Sequence, residues 1–188
     1  MKFSRRAQSG FTLLELMVTI TVAAVLLGLA VPSLMSTINR SRLAGAANEL
    51  VASLQTARME AIRRNARVTL CRSNDQSTCA GGLGRWNGWI VVVPDSNRDG
   101  TANDPTVLQS IQLKSTVQLN SPLTDGRLSY RSDGFARDAD GADTAFLSTE
   151  FDLCIPTTMP AENTHRVRLS SGGRLDTQPI DANGVCAQ

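Results

Sequence analysis

The sequence predicts an α+β fold in which one long N-terminal helix packs on an antiparallel β-sheet. Residues 16–35 form a run of twenty residues without a charge. An apolar stripe with helical spacing follows this run. From Val68 onward, short β-rich runs alternate with turn residues. This order, a long helix and then strands, is typical of an α+β arrangement.

The charge-free run is long enough to cross a membrane. About 20 residues at about 1.5 Å per residue span the ~30 Å hydrocarbon core of a bilayer. An ordinary secretory signal has a shorter apolar core, followed by a small-x-small cleavage site. The tripeptide Leu29-Ala30-Val31 lacks a small residue at its third position. The run is therefore interpreted as a membrane anchor.

The helix is predicted to continue beyond the apolar run. Apolar residues recur at alternating spacings of four and three on one face, at Leu43, Ala47, Leu50, Leu54, Ala57 and Ala61. No proline lies between Pro32 and Pro94. We expect one helix over about residues 11–64, whose first half lies in lipid or in a fibre core and whose second half packs on a globular domain.

The remaining chain is predicted to form strands, because runs rich in β-branched and aromatic residues are separated by Gly and Asn/Asp clusters. The predicted strands are residues 68–71, 89–93, 107–113, 128–130, 151–155 and 167–169. They form an antiparallel assembly that packs on the second half of the helix.

Composition excludes some classes of function. The chain has 19 Lys and Arg against 17 Asp and Glu. The first ten residues hold three of these cations and none of the anions, so the rest is close to neutral, which disfavours a general polyanion-binding surface. The single histidine is His165, and no nucleophile-elbow, zinc-protease or Walker A pattern occurs. We expect no enzymatic activity and no cofactor.

All four cysteines follow the apolar run, which indicates an oxidising compartment and disulfides. Four cysteines allow three pairings. We prefer Cys71 with Cys79, which closes a short polar loop, and Cys154 with Cys186, which ties the C-terminal tail to the last strands. A zinc site is disfavoured because CxxC spacing is absent and one histidine is available.

One loop resembles the first half of a calcium-binding loop, with Asp95, Asn97 and Asp99 at alternate positions before Gly100. The twelfth position, where a bidentate acid is needed, is Thr106. A polar hairpin loop is the preferred interpretation, and no metal site is predicted. The acidic loop at 138–143 is a weaker candidate.

The segment Ser9-Gly10-Phe11-Thr12-Leu13-Leu14-Glu15-Leu16 resembles the type III methylation signal of type IV pilins and type II secretion pseudopilins. The resemblance implies cleavage by prepilin peptidase between Gly10 and Phe11, and N-methylation of Phe11. It divides the chain into a leader (1–10), a transmembrane or filament-core helix half (11–35), an amphipathic helix half (36–65) and a periplasmic β-rich domain (66–188).

The position of Glu15 at the start of an apolar helix requires a physical explanation. A carboxylate costs roughly 2.5–3.5 kcal/mol at the centre of a membrane helix, and less near the interface. Cleavage creates an α-amino group on Phe11, with a reference pKa of roughly 7.7–8.0, which is cationic near neutral pH. The resemblance implies that Glu15 meets this amine when the subunit docks into the filament base.

A second resemblance narrows the family. The strand Val68-Thr69-Leu70-Cys71, then Cys79, then Trp86-Asn87-Gly88-Trp89-Ile90-Val91-Val92 is similar to the GspH/FimT group of minor pilins and pseudopilins. It implies a pilin-like fold and a subunit of a type IV pilus or a type II secretion pseudopilus, acting in initiation or at the tip. The implied partners are other pilins, prepilin peptidase and the inner-membrane assembly platform. The implied location is the bacterial inner membrane, with a single pass, and later the filament.

Some members of this group bind DNA for uptake through a C-terminal Gly-Arg-x-Arg motif. The matching stretch here is Gly173-Arg174-Leu175-Asp176, where an aspartate replaces the second arginine. Arg166, Arg168 and Arg174 could still form a small patch, because Arg166 and Arg168 lie on one face of a strand. DNA binding is the alternative function, and nucleic acid is not the expected partner.

Overall fold

The computed structural model describes residues 11–93, 105–138 and 145–186. Its helix, α1 (Leu13–Arg64), has 52 residues and agrees with the predicted helix to within two residues. The helix ends at Asn65, which adopts a left-handed conformation with φ of 50° and donates its backbone N–H to the carbonyls of Ala61 and Ile62. Asparagine tolerates this conformation better than most residues, so it terminates the helix at low cost.

Within the described residues, nine strands form two antiparallel sheets. The first has the order β3-β2-β1-β5-β6 and the second the order β4-β7-β8-β9. The strands are β1 (Val68–Arg72), β2 (Gly88–Val93), β3 (Thr106–Gln112), β4 (Gln118–Asn120), β5 (Arg127–Tyr130), β6 (Ala136–Asp138), β7 (Thr149–Cys154), β8 (Thr164–Leu169) and β9 (Leu175–Ile180).

The six predicted strands correspond to β1, β2, β3, β5, β7 and β8, with differences of up to three residues at their ends. The sequence analysis missed β4, β6 and β9. The strands β4 and β6 have three residues each, too few to show alternation. The strand β9 contains Asp176 and Pro179, which are rare in strands, and it forms because the turn at 170–174 folds it back on β8.

The predicted apolar stripe is the face of α1 that packs on the sheets. All six of its residues are buried, with at most 1% of their surface exposed. Together with the inner faces of both sheets they form one core. Trp86 and Phe151 meet edge to face in this core, with ring centroids 5.8 Å apart. Trp86 lies two residues before β2 of the first sheet and also forms a backbone bridge with Leu119 of β4, so it links the start of β2 to the four-stranded sheet.

A buried hydrogen bond fixes α1 against β2. The indole N–H of Trp89 donates to the hydroxyl of Ser53 at 2.9 Å, and that hydroxyl donates to the carbonyl of Glu49 at 2.8 Å. Gly88 precedes this tryptophan at a point where β3 comes close. A Cβ at Gly88 would overlap the backbone carbonyl of Ile111, so only glycine fits before the tryptophan.

Two disulfides link Cys71 to Cys79 and Cys154 to Cys186, the pairs preferred from the sequence. The first holds the loop at 73–80 over Ile90 and Val92 on the outer face of the five-stranded sheet. This cover explains why all six residues of β2 are buried.

The second disulfide lies beside a buried asparagine. Asn163 donates to the carbonyl of Ile155 at 3.1 Å and accepts from the backbone N–H of Ala182 at 2.9 Å. The tail is therefore attached to the sheet both covalently and by a hydrogen bond.

Candidate functional site

Glu15 takes part in the cap at the N-terminus of α1. Thr12 caps the helix, and its hydroxyl accepts a hydrogen bond from the backbone N–H of Glu15 at 3.2 Å. Threonine at the cap and glutamate three positions later match the sequence signature of a capping box. A carboxylate in the first turn also interacts favourably with the positive end of the helix dipole. The sequence analysis did not identify this signature. Phe11 is 78% exposed, and Gly10 lies outside the described residues.

The first half of α1 has no packing partner within the described structure. Its large apolar side chains from Leu13 to Val31, where described, are each more than half exposed. Among the described residues, α1 is the one helix long and apolar enough to cross a membrane. The hydroxyls of Thr19 and Thr21 donate to carbonyls three or four residues earlier, at 2.8–3.0 Å. These bonds satisfy the hydroxyls without water, as an apolar environment requires.

Packing begins near Asn39, where α1 reaches the β-domain. The buried side chain of Asn39 donates to the carbonyl of Met159 at 2.9 Å. Arg40 forms an exposed ion pair with Glu162 at 3.2 Å. The helix thus has an uncovered apolar half and a packed half.

The arginines considered for DNA binding lie on the outer face of β8, as expected. Arg166 contacts Asp152 with two nitrogens, at 2.7 and 2.8 Å, and Glu150 at 3.1 Å. Arg168 contacts Glu150 at 2.7 Å. The bidentate contact with Asp152 raises the pKa of the Arg166 guanidinium. Both arginines are therefore neutralised by carboxylates of the adjacent strand β7.

The third arginine of the candidate patch, Arg174, is exposed in the turn between β8 and β9. Asp176 lies directly opposite Arg168 in the β8–β9 register. The patch thus contains three arginines and three carboxylates, those of Glu150, Asp152 and Asp176. The acidic partners on β7 are far in sequence from the arginines, so only the fold brings them together.

Other candidate chemistry is limited. Burial, and secondarily the charge of Arg40, lowers the pKa of His165, so its imidazole is neutral at pH 7. Over the described ranges, the structure has no group of three His, Cys, Asp or Glu residues that could hold a metal ion. The calcium candidates Asp95, Asn97 and Asp99 lie outside those ranges.

Comparison with known families gives two matches. The family described as "Type II transport protein GspH" matches residues 46–173. The "Prokaryotic N-terminal methylation motif" matches residues 5–31. The first covers more than half of the chain, including the β1–β2 region, and the second covers the segment identified as a methylation signal.

Solved structures and a curated relative add to these matches. The minor pilin FimU of Pseudomonas aeruginosa has a TM-score of 0.53 and 20% identity, covering 74% of this chain and 90% of that one. The minor pseudopilin EpsH of Vibrio cholerae has a TM-score of 0.50 and 15% identity, covering 73% and 97%. Both show the fold.

The pilin-like protein PilA1 of Thermus thermophilus is 51% identical over 61 residues, which are 32% of this chain and 38% of that protein. The match thus spans less than two-fifths of the length of this relative. It indicates relatedness over that part of the chain.

The family model, the methylation motif and the fold agree with one another. Members of this family are structural subunits, so the chain is not an enzyme. The methylation motif and the uncovered apolar helix fit a membrane-anchored protein. The chain belongs to the GspH family and is a minor pilin or pseudopilin of a type IV pilus or a type II secretion system.

Proposed function

We propose that prepilin peptidase cleaves this chain between Gly10 and Phe11 and that Phe11 is then N-methylated. The product is anchored in the bacterial inner membrane by residues 11–35, with residues 66–188 in the periplasm. It joins other pilins at an inner-membrane assembly platform and acts in filament initiation or at the tip. The relatives FimU and EpsH are described as a minor pilin and a minor pseudopilin.

The observation that carries this proposal is the contrast between the two halves of α1. Apolar side chains from Leu13 to Val31 are exposed, whereas those from Leu43 to Ala61 on the stripe are buried. A bilayer covers the first half before assembly. Neighbouring helices in the filament core then replace the lipid, so the subunit exchanges one apolar environment for another.

Glu15 supports the same proposal. Its backbone N–H donates a hydrogen bond to the Thr12 hydroxyl, and its side chain is exposed at the N-terminal end of the helix. A carboxylate moved into a fibre core needs a cationic partner. The methylated α-amine of Phe11, in the same or an adjacent subunit, supplies that cation. Register between subunits then depends on one ion pair at the helix end.

The test compares three variants in the native host, measuring the N-terminal mass and the amount in sheared filaments. We expect Glu15→Gln to be cleaved normally but to be lost from filaments by at least about tenfold, because an uncharged amide does not pair with the amine. Glu49→Gln is the matched control, since Glu49 is exposed on the packed half of the same helix. Gly10→Val is the processing control and should remain an uncleaved precursor.

Two results would contradict the proposal. If the Glu15→Gln chain reached wild-type levels in filaments, Glu15 would have no role in setting the register between subunits. A Gly10→Val chain with the normal, methylated Phe11 terminus would show that the cleavage signal has been misidentified.

A further inference from the structure

The four-stranded sheet has an edge that is only partly covered. The strand β4 pairs with residues 152–154 of β7 and ends at Asn120, opposite Asp152. On its other side β7 pairs with β8 from Thr149 onward. In the part of the chain that the structure describes, no strand therefore covers the first three residues of β7 on the β4 side.

The alternation of an antiparallel ladder shows which backbone groups face this opening. The backbone N–H of Ser170 donates to the carbonyl of Arg174 at the end of the β8–β9 hairpin, which fixes the alternation through β8 to β7. On this basis the backbone N–H and carbonyl of Glu150 point away from β8. They face the open edge as a donor and an acceptor for another extended chain.

A groove of about 1020 Å³ lies beside this edge. Residues 83–85 line it together with Ser121 and Pro122. Thr149 also lines the groove; it is 5% exposed, and its hydroxyl is buried without a hydrogen-bond partner in the described structure. An unpaired buried hydroxyl costs free energy, so a ligand that bonds to it is favoured.

The loop at residues 83–85 is held in place by Arg72. Its guanidinium donates to the carbonyls of Ala80, Gly81 and Leu83, at 3.4, 2.6 and 3.4 Å. Gly84 has φ of +142°, and a Cβ there would collide with the Arg72 guanidinium. The loop therefore presents the side chain of Leu83, which is 68% exposed, from a fixed support.

Of the charged side chains that line the groove in the described structure, the carboxylates are ion-paired and the arginine is not. Glu150 and Asp152 are both engaged by Arg166, and Glu150 also by Arg168. Arg85 is exposed and makes no ion pair or hydrogen bond within the described ranges. The uncompensated charge of the groove is therefore positive, and a carboxylate is the complementary group.

We propose that this groove binds an extended, acidic peptide segment of a different protein. The segment pairs its main chain with Glu150, places an apolar side chain against Leu83, and brings a carboxylate to Arg85. Strand addition at an open edge supplies affinity through backbone bonds, and the flanking pockets supply specificity. A nucleic acid is disfavoured because the groove offers, among the described residues, one uncompensated cation, Arg85, whereas binding to a phosphate backbone depends on several cations. The proposal concerns the β-domain and holds whichever filament the chain joins.

The test is photo-crosslinking of the full chain in its native host. A photoreactive benzoylphenylalanine replaces Leu83 in one strain and Ser171, an exposed residue in the β8–β9 turn, in the control strain. Mass spectrometry identifies the adducts at peptide level. We expect position 83 to yield an adduct with a different protein, on a peptide that has Asp or Glu within a few residues, and position 171 to yield none with that peptide.

Companion substitutions test the recognition chemistry in the strain that carries the probe at position 83. Arg85→Glu should lower the adduct yield about tenfold, the size of a lost charge-assisted contact, while Arg85→Lys keeps most of it. Thr149→Val, which removes the hydroxyl at similar volume, should lower the yield several-fold. Thermal unfolding of each purified variant verifies that the domain is folded.

Three results would overturn the proposal. The first is an adduct at position 83 on a peptide of this chain's own sequence, such as residues 94–104 or 139–144. The second is an adduct with lipid alone. The third is a yield that Arg85→Glu leaves unchanged in a folded protein.

Discussion

DNA binding by the β8 face depends on how many of its arginines are free. Arg166 and Arg168 are ion-paired with carboxylates of β7, so Arg174 is the remaining cation of the candidate patch for a phosphate. Each phosphate contact lowers log K by roughly 0.9 per tenfold rise in salt. One contact therefore gives about a threefold loss between about 50 and 150 mM salt. We expect the wild-type chain, purified in detergent, to bind a short duplex with a Kd weaker than ~10⁻⁴ M at ~150 mM salt.

The perturbation that frees these arginines is Glu150→Gln combined with Asp152→Asn. It removes two carboxylates and leaves the side-chain shapes nearly unchanged. The two arginines of β8 are then released from β7 and join Arg174, while Asp176 is the remaining carboxylate of the patch. Three phosphate contacts give a slope of at most about −2.7 and about a twentyfold loss over the same salt range. We expect this double variant to gain measurable binding at low salt and to show the steeper slope.

The assay is a fluorescence titration of a labelled duplex at several salt concentrations. The control is Glu49→Gln combined with Asp181→Asn, which makes the same change in net charge away from the patch. Low-micromolar binding by the wild type, lost on Arg174→Ala, would refute the reasoning and make the chain a DNA receptor. Equal gains in the two double variants would show that net charge matters and that the ion pairs on β8 do not.

Three further predictions concern the β-domain. Non-reducing peptide mapping of the chain purified from its native host should recover both disulfides of the structure and no free thiol; a link between Cys71 and Cys154 instead would contradict the pairing. Ser53→Ala should lower the unfolding free energy by about 1–3 kcal/mol, because it strands the buried indole N–H of Trp89. The matched control Ser41→Ala, at an exposed position of α1, should leave the melting temperature unchanged, and equal shifts in both variants would contradict the role of this bond. Burial raises the pKa of Tyr130, the single tyrosine, to about 12. Its folded-state pKa lies above the unfolded value of about 10, so this contribution to stability is complete below pH 10 and is lost as pH rises toward 12; phenolate absorbance appearing near pH 10 in the folded protein would contradict it.

The sequence by itself determined the features that depend on local pattern. The length of the charge-free run and the four–three spacing of the stripe predict one continuous helix. Six strands were predicted because their runs of β-branched and aromatic residues are bounded by turns. The methylation signal and the Gly88-Trp89 strand indicated the family, because each of these motifs consists of residues that are adjacent in the sequence.

Tertiary structure alone decided how the strands are divided between two sheets and which side chains meet across them. The strand β9 has a polar sequence with a proline, and it becomes a strand because β8 offers it hydrogen-bond partners. The carboxylates of β7 that neutralise Arg166 and Arg168 are 14 to 18 residues away, and their contact depends on the register of the two strands. The open edge at Glu150 exists because β4 stops at Asn120. Such features depend on pairing between distant segments, and no local pattern of residues encodes that pairing.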